Sequence, residues 1–318
     1  MNYRRVGRSG LKISEIALGG WLTFGGSVDG ARTERIVKAA IDQGVNFIDL
    51  SDIYARGEAE KVVGQAIRDC KRSDLVISTK LFWPMSDNVN DRGLSRKHIM
   101  ESIDNSLRRI GVEYIDIYFC HRFDPDTEVE ETVRAMDDLI RSGKILYWGT
   151  SVWTEAQIER AIGDADRFNA YRPIVEQPRY NMLDRHIEME IIPVCGKYGL
   201  GLTVWSPLAQ GLLTGKYNDG TPAGTRGAST EWLKKDLTDE NIAKVRKLTA
   251  LADSYNVKVS QLALAWALRL PEISAVLTGA TDENQLKENI AASEFELSVA
   301  VVEKVEAILG GTVNIRLT

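Results

Sequence analysis

Short apolar runs alternate along the chain with longer stretches whose apolar residues recur three and four positions apart. The short runs read as strands at Ile16 to Gly19, Asn46 to Leu50, Leu75 to Thr79, Ile115 to Cys120, Ile145 to Trp148, Ile174 to Gln177, Gly201 to Trp205 and Ile273 to Thr278. The periodic stretches read as helices. Thr33 to Asp42 has Thr33 as N-cap and Gly44 as stop, Glu58 to Cys70 follows, and Ser95 to Ile110 runs from a Ser95 cap to Gly111. Glu128 to Ser142 closes at Gly143, Thr154 to Phe168 follows, and Asp184 to Tyr198, bent or broken near Pro193, closes at Gly199. Asp239 to Tyr255 and Ser260 to Leu270 precede the last strand; Asn284 to Ala292 and Val299 to Leu309 follow it. Ahead of the repeating units, Tyr3 to Gly10 and Leu11 to Ile16 form a hairpin around Arg8-Ser9-Gly10, expected to be a lid.

Strands that alternate with helical crossovers pair in parallel, and eight such units predict a (β/α)8 TIM barrel, with an N-terminal hairpin and extra C-terminal helices. Residues 1–318 read as one domain, with no linker and no repeat beyond the βα unit. The alternative is an open doubly wound sheet, which uses about six strands and a Gly-x-Gly-x-x-Gly turn. The glycines of Leu18-Gly-Gly-Trp-Leu-Thr-Phe-Gly-Gly26 lack that spacing. The stretch from Leu208 to Asp236 is too long for a plain connection and is expected to be a functional loop.

Composition narrows the classes. The 318 residues carry a net charge of −5 and no basic tract, which argues against a nucleic-acid partner. Cys70, Cys120 and Cys195 show no ligand spacing, and an odd count without a signal peptide points to reduced thiols in the cytoplasm. No apolar run approaches the ~20 residues of a membrane helix, so direct insertion is not expected. Three dispersed histidines give no metal constellation, and His98 and His186 are expected at the surface.

The candidate chemistry lies at strand ends. Asn46-Phe-Ile-Asp-Leu-Ser-Asp-Ile-Tyr54 ends its apolar run at Asp49 and places Tyr54 five residues on. The next two runs end at Lys80 and His121. In a parallel barrel all four emerge on the C-terminal face, where such enzymes work. A tyrosine has an ordinary pKa of about 10, so a neighbouring cation is needed to stabilise its phenolate. Lys80 is the cation, Asp49 holds Lys80, and His121 orients the substrate oxygen or shares the proton. An acid and a charge stabiliser without a nucleophile suit reduction of a carbonyl, with hydride from a cofactor. Trp21, Phe82 and Trp83, with Trp153 as a further candidate, would line an aromatic mouth suited to aldehydes.

Over nearly its whole length the chain resembles the aldo-keto reductases. The matching stretches are Gly44-Val-Asn-Phe-Ile-Asp-Leu-Ser-Asp-Ile-Tyr54, Ile77-Ser-Thr-Lys80, Ser102 to Leu107 with Gly111 to Ile117, and Trp205-Ser-Pro-Leu-Ala-Gln-Gly211. Within that superfamily it is most similar to the potassium-channel beta subunits and their microbial relatives. The signs are Trp21 to Gly26, Arg92 to His98, Met136 with Tyr147 to Ser151, and Gly279 to Gln285 leading to Glu288 and Asn289. The resemblance implies an NADP(H)-dependent barrel in which Asp49, Tyr54, Lys80 and His121 match the catalytic tetrad. Channel subunits commonly carry Asn in place of His121, so the full tetrad favours an active enzyme.

The cofactor positions follow from the same resemblance. Gly20 and Trp21 match the first loop, Ser151 and Gln177 the carboxamide clamp, and Trp205 the aromatic residue stacked on the nicotinamide. Val152 departs from the Asn or Arg of many relatives. Ser206, Pro207, Leu208, Ala209, Gln210, Gly211 and Lys216 match the pyrophosphate wrap, and Gly279, Thr281, Gln285, Glu288 and Asn289 the adenosine end. Arg226 matches an arginine near the adenosine and, with Thr281 and Gln285, is expected to meet the 2′-phosphate of NADPH. Free N–H groups near Asp282 would assist. Trp21, Tyr54, Trp83 and His121 are expected to touch a small carbonyl substrate. Relatives imply a homo-oligomer, a tetramer or higher. The competing readings are a cofactor-sensing subunit of a membrane channel and a Schiff-base aldolase using Lys80.

Overall fold

The computed structural model describes residues 1–222, 225 and 231–311. Eight parallel strands close a barrel in chain order: β3 (Ile16–Gly19), β4 (Phe47–Asp49), β5 (Val76–Leu81), β6 (Ile115–Cys120), β7 (Ile145–Thr150), β8 (Val175–Glu176), β9 (Gly201–Val204) and β10 (Ile273–Thr278), which pairs back to β3. These are the eight runs the hydrophobic pattern predicts. Helices α1 (Gly30–Asp42), α2 (Glu58–Ala66), α3 (Arg96–Ile110), α4 (Val129–Arg141), α5 (Glu155–Arg167) and α6 (Ile191–Tyr198) each return the chain from one strand to the next. Between β9 and β10 lie α7 (Glu231–Lys234), α8 (Asp239–Asp253) and α9 (Val259–Leu268), and α10 (Glu283–Ile290) and α11 (Val299–Leu309) follow β10.

The barrel strands are buried on both faces, which is why they read as apolar runs. Their outer faces meet the helices in one large core, where Ile48, Ile77, Tyr118 and Trp148 pack. Their inner faces form a second cluster that includes Phe47, Val76, Ile117, Phe119, Val175 and Ala275. Each such side chain contributes roughly 2 kcal/mol on burial. Side chains alternate across a strand, so the same inner face carries different residues two positions on. Asp49 stands above Phe47, Ser78 and Lys80 above Val76, His121 above Phe119, and Gln177 above Val175. The apolar lower half thus fixes a polar upper layer at the C-terminal mouth.

The hairpin of β1 (Tyr3–Arg5) and β2 (Lys12–Ser14) closes the other end. Ser14 N–H donates to Asn46 Oδ1 at 2.7 Å and Ser274 Oγ to the Arg5 carbonyl at 2.9 Å, both at strand starts. Val6 and Ile13 complete the interior cluster from below. The turn needs Gly7: φ is +55° and a Cβ there would lie 2.2 Å from the Gly199 carbonyl oxygen. The hairpin is therefore the floor of the barrel and does not cover the mouth.

Three local expectations change. The cap of α1 is Asp29, which accepts from Arg32 N–H at 2.8 Å, while Thr33 lies buried inside the helix. The stretch from Asp184 splits into a single 3-10 turn at His186–Glu188 and α6, which starts at Ile191. Pro193 then falls in the first turn, where its missing N–H has no intrahelical acceptor. His98, in the first turn of α3, is 2% exposed, not at the surface.

Candidate active site

The four strand-end residues meet in one cluster. Lys80 Nζ donates to Asp49 Oδ2 at 2.6 Å and to the Leu50 carbonyl at 2.6 Å, and lies 3.2 Å from the Tyr54 hydroxyl. Asp49 Oδ1 accepts from Ser78 Oγ at 2.6 Å and from Gln177 Nε2 at 3.0 Å. Both charges are enclosed, and both oxygens of the carboxylate are hydrogen-bonded, Oδ2 to the ammonium and Oδ1 to Ser78 and Gln177. Tyr54 opens a tight turn after β4 in which Ala55 and Arg56 take left-handed φ of 47° and 53°. Such strain in non-glycine residues persists where the surroundings over-determine it, and it collects at functional sites. The Tyr54 ring meets that of His121 edge-on at 6.0 Å.

Burial and the Asp49 carboxylate hold the Tyr54 phenol well above its ordinary range. Burial also lowers the Lys80 ammonium, against the opposing pull of Asp49. The resting site therefore does not show a phenol acidified by Lys80, as the residue types alone suggest; exclusion of water outweighs the neighbouring cation. His121 is held well below the usual imidazole value by burial and by Lys80 and Arg122, so it is neutral. Its Nδ1 lies 3.1 Å from Ser51 Oγ.

Aromatic residues surround the mouth. Trp83 meets His121 edge-on at 6.2 Å and Phe82 at 5.1 Å, and Trp21 meets Trp205 at 5.8 Å. Trp153 instead lies buried against Phe123 at 5.1 Å, with 3% exposure, so it backs the wall. Arg122, absent from the sequence-derived set, places its guanidinium 5.6 Å over the Trp83 ring and donates to the His121 carbonyl. Its signal was only its place directly after His121. Ser78 had a clearer one, because it shares the inner face with Lys80 two residues on.

The residues matched to a cofactor surround the same mouth. Ser151 Oγ donates to the Gln177 carbonyl at 2.8 Å, while Gln177 Nε2 is engaged by Asp49 and Thr203, and Val152 stands 41% exposed at a left-handed φ of 58°. Gly20 N–H donates to the Asp49 carbonyl at 2.9 Å beside Trp21. After Trp205 the chain turns through Ser206, Pro207, Leu208, Ala209, Gln210 and Gly211, with left-handed φ at Ser206, Ala209, Gln210 and Gly211. Gly211 has a φ of +100°, a backbone conformation that strains any residue with a Cβ. Both amide atoms of Gln210 are buried with no hydrogen-bond partner, which is costly unless a ligand supplies one.

The far end is already self-satisfied. Thr281 N–H donates to Gln285 Oε1 at 3.1 Å, Asp282 caps the N–H groups of Asn284 and Gln285, and Glu288 pairs with Lys258. The N–H groups of Thr281, Asn284 and Gln285 are therefore already engaged. Asn289 Nδ2 reaches the Gly279 carbonyl at 3.5 Å. Arg226 lies outside the described residues. A cavity of about 640 Å3 opens elsewhere, between α2 and α3, but its Lys61, Arg72 and Arg109 already pair with Glu58, Asp116 and Glu60.

Among the described residues no cluster of His, Cys, Asp or Glu is placed to hold a metal ion, and no helix is long and apolar enough to cross a membrane. Two relatives are close in sequence over almost the whole chain. One from Oryza sativa subsp. japonica and one from Arabidopsis thaliana, each named "Probable voltage-gated potassium channel subunit beta", are 46% identical over 318 residues, covering 97% of this chain and 97% of the relative. The sequence model described as "Aldo/keto reductase family" matches residues 15–309, a span that runs from the first barrel strand to the last helix. With its barrel closed and Asp49, Tyr54, Lys80 and His121 in contact at the mouth, the chain belongs to the aldo/keto reductase family, a family of oxidoreductases.

Proposed function

We propose that the chain is an NADPH-dependent reductase of small aldehydes and ketones, working as one domain over residues 1–318. The observation that carries this reading is the buried line Tyr54–Lys80–Asp49, a proton donor backed by a neutralised cation, beside a neutral His121. The orphaned amide of Gln210 and the half-open Trp205 fit a bound dinucleotide: Trp205, Ser151 and Gln177 would hold its nicotinamide, and Ser206 to Gly211 with Lys216 its pyrophosphate. When bound, NADPH supplies the hydride.

The chain's own residues do the rest. Trp21 and Trp83 exclude water from the carbonyl. His121 positions its oxygen by a hydrogen bond. A raised phenol pKa would keep the proton on Tyr54 until the substrate oxygen beside it becomes basic enough to take it. Lys80 then stabilises the phenolate left behind, and Asp49 keeps Lys80 charged and in place. The proton from Tyr54 would complete the alcohol hydroxyl.

The test is a panel of aldehydes and ketones with NADPH oxidation followed by absorbance, repeated with NADH. Turnover with an at least tenfold preference for NADPH, about 1.4 kcal/mol, is expected. NADPH binding without turnover on any carbonyl would favour the second reading, raised by the printed names of the relatives: a cofactor-sensing subunit of a channel. A homo-oligomer, tetramer or higher, accompanies either reading and is read by light scattering. The unpaired Cys70, Cys120 and Cys195 support a cytoplasmic setting.

A further inference from the structure

Behind the tetrad lies a second polar cluster, sealed between β4, β5, β6 and helices α2 and α3. Ser51 and Asp52 are both 0% exposed, although they stand in a connecting segment where such residues are normally solvated. Ser51 Oγ lies 3.1 Å from His121 Nδ1 and 3.2 Å from Asp52 Oδ1. Asp52 Oδ2 accepts from Ser102 Oγ of α3 at 3.3 Å. The reductase reading gives none of these groups a role.

We propose that Ser51 and Asp52 are positioning residues that decide which ring nitrogen of His121 carries its proton, and hence whether the imidazole offers the substrate oxygen a donor or an acceptor. The inference rests on the reductase reading for its catalytic consequence only. A neutral imidazole has one N–H, and a serine hydroxyl has one O–H. If Asp52 is ionised it accepts from Ser51, since at 3.2 Å the carboxylate is a nearer and stronger acceptor for that hydroxyl than the Lys80 carbonyl at 3.5 Å. Ser51 then accepts from His121 Nδ1–H, and Nε2 is left as a lone pair. That form cannot donate to a carbonyl but can accept from an alcohol. If Asp52 holds a proton, it donates to Ser51, Ser51 donates to Nδ1, and Nε2 carries the hydrogen that a carbonyl oxygen requires. One proton on Asp52 thus reverses the whole line, and His121 stays neutral throughout.

The surroundings allow both forms near neutral pH. Burial and the Glu60 carboxylate of α2 raise Asp52 to about 7, against the pull of Ser51, the Arg109 guanidinium of α3 and the Ile53 N–H. Glu60 is itself held by Arg109 Nε at 2.5 Å and by Thr79 Oγ1 of β5 at 2.6 Å. The Tyr118 hydroxyl of β6 also faces Asp52, and Lys80 feels its charge. Burial keeps the Tyr118 phenol neutral, so the proton that reverses the line is the one on Asp52.

The test reads the ring directly. The chain has three histidines, so 15N-histidine NMR of the whole protein gives few signals, and His121→Asn assigns the one of interest. In the wild type, His121 is expected to exchange Nε2–H for Nδ1–H as pH rises through neutrality, without becoming charged. Asp52→Asn, close in shape and unable to titrate, is expected to hold one tautomer at every pH, and Ser51→Ala to uncouple the ring from Asp52. Carbonyl reduction by the wild type should lose its activity over that same ionisation, alcohol oxidation should gain, and both limbs should vanish in Asp52→Asn. Ser51→Ala should cost roughly tenfold in kcat for reduction, the worth of one hydrogen bond. A wild-type tautomer that ignores pH, or the same tautomer change in Asp52→Asn or in Ser51→Ala, overturns the proposal. If the tautomer changes as described but no carbonyl is reduced, the reductase reading fails and the relay stands.

Discussion

Lys80 and Asp49 show what burial does to a pair of charges. Each is enclosed, and each satisfies the other at 2.6 Å. Removing one partner leaves a bare charge in a dry site, which costs about 3 kcal/mol or more. Lys80→Met is therefore expected to lower stability by roughly that amount as well as activity. Asp49→Asn with Lys80→Met should recover most of the stability and none of the turnover. Urea unfolding of the two variants checks this; equal stabilities would mean that the pair is solvated in solution. Asp49, Lys80 and His121 were legible in the sequence because each ends an apolar run, and Tyr54 because it follows the first of those ends by five residues. Their electrostatics were not: residue types suggest that Lys80 acidifies Tyr54, whereas enclosure, invisible in a one-dimensional string, raises the phenol instead. His98 was misplaced for the same reason, since a polar residue near a helix start gives no sign that a loop covers it.

At the scale of elements, periodicity located the strands and most helices, while the exact ends depended on side-chain contacts. Asp29 outcompetes Thr33 as the cap of α1 because its carboxylate reaches Arg32 N–H. The turn after β9 is where backbone strain and an orphaned amide coincide, so two opposite effects are expected from Gln210→Leu. Removing a buried, unpartnered amide should raise the stability of the free protein by about 1 kcal/mol. Losing its ligand contacts should weaken NADPH roughly tenfold. Melting curves and dissociation constants on one preparation decide it, and lower stability with unchanged affinity would contradict the assignment.

Strand β8 carries a further titration. Burial raises Glu176 to about 7 from an ordinary 4.5, although Thr150 Oγ1 and the N–H groups of Val152 and Trp153 oppose the shift. The folded state therefore holds this proton more tightly than the unfolded chain does. Stability falls as pH rises from the unfolded value toward the folded one, by on the order of 3 kcal/mol, and levels off above it. Glu176→Gln should remove that part of the slope, so that the variant gains on the wild type as pH rises through this window. Asp52 contributes its own slope in the same range and should remain. Unfolding at acidic and at neutral pH compares the two proteins; parallel curves would mean that Glu176 is hydrated.

For the whole molecule, eight strand and helix repeats specified the closed barrel, and the two-residue pleat turned apolar lower positions into a polar mouth. The hairpin was visible in the sequence but its place was not, because only three-dimensional closure shows which end a strand start faces. In the proposed reaction the mouth delivers a proton from Tyr54 to a reduced carbonyl. Single-turnover oxidation of bound NADPH by a small aldehyde, in the wild type and in Tyr54→Phe, tests it most directly. The phenylalanine keeps the ring and removes the donor, so the rate should fall by about a hundredfold or more while NADPH affinity stays within about twofold. A variant that oxidises NADPH at nearly the wild-type rate would contradict the assignment of Tyr54 as the acid.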